Sequence, residues 1–113
     1  MGLVTTTRRY MFQSTHKLGS LQEGKHGHHF YLEVIFQGAP VALADQCYHE
    51  KIEARVHGKD LSEVADPPTG EMLAQWIHKQ LLVSPLGKHL LGVAVQETPK
   101  NRYISSMTEL RFV

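Results

Sequence analysis

Eight histidines in 113 residues are the chemically conspicuous feature of this chain. Histidine is the commonest side-chain metal ligand, and its ordinary pKa suits it to proton transfer near neutral pH. Three of the eight form a pattern. His26 and His28 stand two residues apart in HGHHFYLEVIFQ, and His16 closes the earlier segment TTTRRYMFQSTH. Residues i and i+2 of a strand share a face, with Cα atoms roughly 6.6–7 Å apart. Imidazoles at that spacing can converge on one ion at Zn–N distances of about 2.0–2.1 Å. If the two segments pair through the loop at 17–25, His16 lies beside His26. Three nitrogen ligands that leave a fourth position open describe a catalytic zinc site, not a structural one. His29 falls on the opposite parity and is no ligand. An H-x-H pair alone is a weak signal, and solvated strand-end histidines give the same pattern. The third histidine on matching parity brings the two readings level.

Those side chains need a frame. Residues 5–18 alternate with β-branched and aromatic types, placing Tyr10, Phe12, Ser14, His16 and Leu18 on one parity, which predicts a strand. Residues 26–37 predict a second strand that buries Phe30, Leu32, Val34 and Phe36 on the face of His26 and His28, ended by Gly38, Ala39 and Pro40. Leu43 to Val56 reads as a helix whose apolar positions, Leu43, Cys47, Ile52 and Val56, are irregular. His57 to Pro68 is a polar connection. Thr69 can cap a helix reaching about Val83, with Leu73, Trp76, Ile77 and Leu81 as its apolar stripe. Residues 90–98 predict a strand with Leu91, Val93, Val95 and Glu97 on one face; residues 99–102 turn, and Tyr103 to Val113 is a last strand. Two helices between the second and third of four strands, packed on one face of an antiparallel sheet, make an α+β layer domain. The length suits one domain over 1–113, as single cores occupy roughly 100–200 residues.

Composition narrows the function classes. The chain is 42% hydrophobic with interspersed charge, the composition of a soluble globular protein and not of a disordered tail. A formal net charge of +1, with Lys and Arg scattered, gives no basic footprint for nucleic acid. No apolar run approaches the ~18 residues of a membrane span, and no secretory signal follows Arg8 and Arg9. The single cysteine, Cys47, forms no internal disulfide and fits a reducing cytoplasm.

Taken together, FQSTHKL, HGHHFYLEVIFQG, PPTGEMLAQWI and VAVQETPKNRYIS resemble, in order, the motifs of the 6-pyruvoyl-tetrahydropterin synthase and 6-carboxytetrahydropterin synthase family of the queuosine pathway. The resemblance implies a tunnelling fold (T-fold), with a pterin substrate and zinc held by His16, His26 and His28. It implies that Glu97, with Thr98 beside it, anchors the pterin's amino-pyrimidine edge, as a carboxylate accepting two hydrogen bonds can. Thr69 and Glu71 match the family's helix start, where they can cap the helix and meet its positive first turn. Homo-oligomers, a trimer or a dimer of trimers forming a hexamer, are implied as well.

The sequence departs from the family's proton-transfer machinery. The cysteine expected shortly before HGH is missing from the loop KLGSLQEGK, where Gln22 and Glu23 stand instead. Some family members use glutamate there, so Glu23 could be the base; a solvated loop acid reads as well. The family's Asp–His segment aligns with VHGKDLS, which turns its aspartate into His57 and its histidine into Gly58, with Asp60 a candidate partner for His57. Cys47 reads as a small buried apolar residue. Lys17 and Lys25 could receive the triphosphate of the substrate. Three functions follow: a zinc-dependent pterin synthase or lyase acting on 7,8-dihydroneopterin triphosphate, a non-catalytic zinc- or pterin-binding relative, and an interaction domain with incidental histidines.

Overall fold

The computed structural model describes residues 4–17, 25–65 and 69–106, with the main chain alone for 16, 17 and 25–28. Strands β1 (Thr5–Lys17), β2 (Lys25–Gln37), β3 (Leu90–Thr98) and β4 (Asn101–Ser106) form one antiparallel sheet in the order β1-β2-β3-β4. Between β2 and β3 come α1 (Val41–Cys47), a π-helical stretch (Tyr48–Glu53), α2 (Ala54–Val56) and α3 (Gly70–Leu82), with 3-10 turns at Leu61–Glu63 and Gly87–His89. The β1–β2 hairpin is paired without a break from Thr5↔Gln37 to Lys17↔Lys25.

One sheet face is apolar and covered. Phe12 pairs with Phe30, their rings stacked at 5.3 Å, and Leu32, Val34, Phe36, Val93 and Val95 extend the same layer. Tyr48, Ile52, Val56, Leu73, Ile77 and Leu81 close it from the helical side. Fully burying such a side chain contributes about 1.5–3 kcal/mol, so this layer fixes which strand parity faces inward. On the other face Met11, Tyr31 and Ile104 are exposed. There Glu33 accepts from Arg9, its direct partner on β1, at 3.2 Å and from Arg102 of β4. Ala94, between Glu33 and Ile104 in the ladder, is buried.

The first helical segment departs from expectation in an informative way. It starts directly after Pro40, and its buried residues are Ala44, Cys47, Tyr48, Ile52 and Val56, while Leu43 is only partly covered. Four-residue steps from Tyr48 to Ile52 to Val56 drift around an α-helix of 3.6 residues per turn. The wider i→i+5 turn takes up that drift and keeps all three on the sheet. Tyr48 stacks on Tyr10 at 4.0 Å, and Tyr10 donates its hydroxyl to Asp45 at 2.7 Å. Arg8 grips the same carboxylate through Nε at 3.0 Å and Nη2 at 3.2 Å. The hydrogen bond from Tyr10 holds the Asp45 carboxyl below the usual carboxylate range, and burial pushes the Tyr10 phenol well up.

The second helix follows its cap: Thr69 Oγ1 accepts from the Met72 N–H at 3.2 Å. Trp76 is only partly buried, whereas His78 is buried with Nδ1 2.6 Å from Ser105 Oγ on β4. Two bulges modify the later strands. The β2–β3 register shifts between Ile35 and Phe36, so Leu90, not Leu91, is the buried partner of Phe36. The β3–β4 register shifts between Gln96 and Thr98, and β4 begins at Asn101 after a two-residue turn, earlier than the expected Tyr103. The expected remainder of that strand, 107–113, and Leu18 at the end of β1 lie outside the described residues. No helix among the described residues is long and apolar enough to cross a membrane.

Burial lowers the pKa of His78, and its Nε2 has no partner among the described residues. The folded state therefore keeps the ring neutral at pH values where the unfolded chain, with an ordinary pKa of about 6.5, takes up a proton. Stability is full above that pH and declines as pH falls through it. His78→Gln is expected to shrink the loss in urea midpoint between pH 7 and pH 5, read by circular dichroism.

Candidate functional site

The uninterrupted hairpin determines where the histidine positions fall. Register sets His16 opposite His26 and Ser14 opposite His28. Directly paired residues lie on the same face, with Cα atoms about 4.5–5.5 Å apart. Ser14 is buried, on the parity of Phe12 and Phe30, so His16, His26 and His28 all occupy positions of the helix-covered face at one end of the sheet. The side chains of these three histidines lie outside the described residues, as does Glu23 in its loop. Among the described residues no three His, Cys, Asp or Glu side chains group to hold a metal. The hairpin's last pair is Lys17↔Lys25, two like-charged residue types set opposite each other.

A second segment is laced to this end. After Val56 the chain leaves the helix, turns through Gly58 at φ +72° and runs along the outer edge of β1. Ser14 Oγ donates to the Val56 carbonyl at 2.5 Å. The Gly58 N–H donates to Gln13 O at 2.6 Å, and the Thr15 N–H donates to Lys59 O at 3.0 Å. Asp60 forms a parallel bridge with Thr15, the residue before His16. This strap delivers His57 and Asp60 to the histidine end.

The two residues do not play symmetrical parts there. His57 is exposed, and its Nδ1 accepts from the Gln13 main-chain N–H at 3.2 Å. The Asp60 carboxylate accepts from Ser62 N–H at 2.9 Å and Ser62 Oγ at 2.7 Å, capping the 3-10 turn. Gln13 thus engages His57, and Ser62 engages Asp60. Glu97 is exposed at the β3 bulge, one step beyond the Tyr31↔Gln96 pair, so it stands at the same end of the sheet as His28. Thr98 Oγ1 accepts from the Lys100 N–H at 3.3 Å and belongs to the hairpin turn. Cys47 is buried in the core, away from this end, as its apolar reading requires. A separate polar cleft of about 480 Å³ lies between α3 and β4, lined by Glu71, Ala74, Gln75 and residues 102–106.

Sequence reasoning missed the strap, and with it Gln13, Ser14 and Gly58. One signal existed: Ser14 is a polar residue on the parity of Tyr10 and Phe12, so it needed a buried partner. That partner is a helix-end carbonyl distant in sequence, which no local pattern announces.

No protein-family model and no curated protein matches the chain. Solved structures do match. The 6-pyruvoyl tetrahydropterin synthase of Caenorhabditis elegans superposes with a TM-score of 0.78 at 20% identity, covering 94% of this chain and 96% of that one. The fold is that of a 6-pyruvoyl-tetrahydropterin synthase. The Plasmodium falciparum synthase superposes on the same T-fold with a TM-score of 0.65 at 14% identity, over 93% of this chain and 98% of that one. A Plasmodium vivax synthase, in a variant whose catalytic glutamate is exchanged for cysteine, gives 0.67 at 12% identity over 93% and 98%. The expected T-fold, a four-stranded antiparallel sheet with helices on one face, is what the chain adopts.

The strap predicts its own sensitivity. Ser14→Ala leaves the Val56 carbonyl with the Lys59 N–H at 3.1 Å but without its hydroxyl partner, and is expected to cost about 0.5–1.5 kcal/mol in denaturant unfolding. Gly58→Ala forces a Cβ into left-handed backbone and is expected to cost about 1–2 kcal/mol.

Proposed function

We propose that this chain is a zinc-dependent pterin synthase or lyase acting on the side chain of 7,8-dihydroneopterin triphosphate, of the 6-pyruvoyl- or 6-carboxytetrahydropterin type. The observation that carries the reading is the register of the hairpin, which sets His16 against His26 and Ser14 against His28 within a T-fold. Three histidines at positions of one face would offer a borderline-soft nitrogen donor set of the kind zinc takes in catalytic sites. His16, His26 and His28 would hold the metal, and bound zinc would act as a Lewis acid on oxygens of the pterin side chain.

The chain's own residues divide the remaining work. Glu97 accepts hydrogen bonds from the amino-pyrimidine edge, and Thr98 shapes the turn beside it. A carboxylate set at a bulge, where the ladder skips a residue, is turned by the backbone itself and not by a flexible loop. Lys17 and Lys25, paired across the hairpin, would receive an anion such as triphosphate; like charges directly opposite on paired strands repel, and a bound anion would relieve that. Glu23 takes the proton as base, and the strap residues His57 and Asp60 complete the polar catalytic set beside it. Glu23 draws support from the Plasmodium vivax synthase, whose catalytic residue is a glutamate. The protein works in the cytoplasm as a homo-oligomer, a trimer or a dimer of trimers; the assembly is supported by Met11, Tyr31 and Ile104, which leave apolar surface on the open sheet face, and by strand edges that remain to be paired.

A second reading, a zinc- or pterin-binding relative without turnover, is favoured by one observation: the Nδ1 of His57 is committed to holding the strap against Gln13. Turnover separates the two. Purified protein is expected to carry zinc stoichiometrically, to lose it in His28→Ala, and to release triphosphate from 7,8-dihydroneopterin triphosphate. Glu97→Gln is expected to keep zinc and weaken pterin binding at least tenfold, by fluorescence titration. Metal-free wild type would overturn the zinc site, and zinc-loaded protein that binds pterin without product would leave the second reading.

A further inference from the structure

His57 occupies an unusual place in the hydrogen-bond ladder. It leaves α2 in extended conformation, at φ −68° and ψ 123°, with its own N–H still donating to Glu53 O at 3.0 Å. Gln13 on β1 presents its N–H and C=O outward from the sheet edge. The carbonyl takes the Gly58 N–H at 2.6 Å, and the N–H is taken by the ring of His57, at Nδ1, 3.2 Å away. The imidazole thus stands where the carbonyl of an added strand would stand. A main-chain N–H can only donate, so the accepting Nδ1 carries the ring's lone pair. The proton of the neutral ring therefore sits on Nε2.

This has a chemical consequence. A neutral histidine serves as a base through its unprotonated nitrogen, and here that nitrogen is occupied by the strand. What the exposed ring can offer is an N–H. We propose that His57 works as a fixed neutral Nε2–H hydrogen-bond donor toward an oxygen on the ligand that gains negative charge, and not as the base of the reaction. The proton stays on Nε2 throughout, no bond to it breaks, and the base must be another group, with Glu23 the candidate. Gln13, through its main chain, and Gly58, through its left-handed turn, are positioning residues for the ring. The identity of the oxygen-bearing ligand rests on the pterin reading above; the tautomer rests on the strap alone.

Two measurements test this separately. Ring nitrogen NMR of histidine-labelled protein, above pH 8 or so where an ordinary imidazole of pKa about 6.5 is neutral, is expected to show His57 protonated at Nε2 and not at Nδ1. The opposite tautomer, or an averaged ring, overturns the proposal whether or not the protein turns over pterin. The second compares His57→Gln, whose amide still donates, with His57→Leu, which cannot. With 7,8-dihydroneopterin triphosphate as the probe, Leu is expected to lower kcat by about 10²–10³, the usual effect of removing one such donor. Gln is expected to recover at least tenfold of that at an equal urea midpoint. Equal loss in both variants overturns the donor role. Absence of turnover in the wild type sinks the pterin reaction and leaves the nitrogen spectrum to decide.

Discussion

Everything at the candidate site descends from the pairing register of one long hairpin. Because side chains alternate with period two, a slip of one residue between β1 and β2 would send every position of one strand to the other face. The apolar layer forbids that slip: Phe12 must meet Phe30, and Leu32, Val34 and Phe36 must stay beneath the helices. The histidine positions lie at the end of the same two strands. They inherit their register from a hydrophobic core in which they need take no part.

The strap is the second constraint, and it depends on the first. It recognises β1 through peptide groups at Gln13 and Thr15 and through the Ser14 hydroxyl, all within three residues of His16. Main-chain recognition of this kind depends on strand geometry and tolerates changes in side chain. It also covers part of an edge that would otherwise offer unpaired groups. The helical segment and the sheet are thus joined twice: by Tyr10, Arg8 and Asp45 near its start, and by Ser14 and Val56 at its finish.

Local pattern revealed much of this. Alternation in β1 and β2 gave the strands, their buried face and the matching parity of His16, His26 and His28. Thr69 gave the start of α3. The failures have physical causes. The apolar positions Leu43, Cys47, Ile52 and Val56 looked irregular, and Tyr48 went unnoticed, because the backbone widens to a π-helix there. Leu91 was placed in the core because a bulge cannot be read from alternation. The strap that carries His57 and Asp60 to β1 was not foreseen, because its contacts with Gln13, Ser14 and Thr15 run through main-chain groups and are long-range. The roles of Glu23 and of the three imidazoles rest on resemblance and on register.

The π-helical stretch has a consequence for how this chain can vary in length. Each residue of an α-helix advances the phase by about 100°. Deleting one residue between Tyr48 and Glu53 would regularise the helix, yet it would bring Val56 round to a different azimuth, out of reach of the Ser14 hydroxyl. The strap would then peel from the sheet edge and carry His57 away with it. The surplus residue acts as a phase adjuster, matching a helix anchored at Asp45 to a strand that must be met eleven residues later.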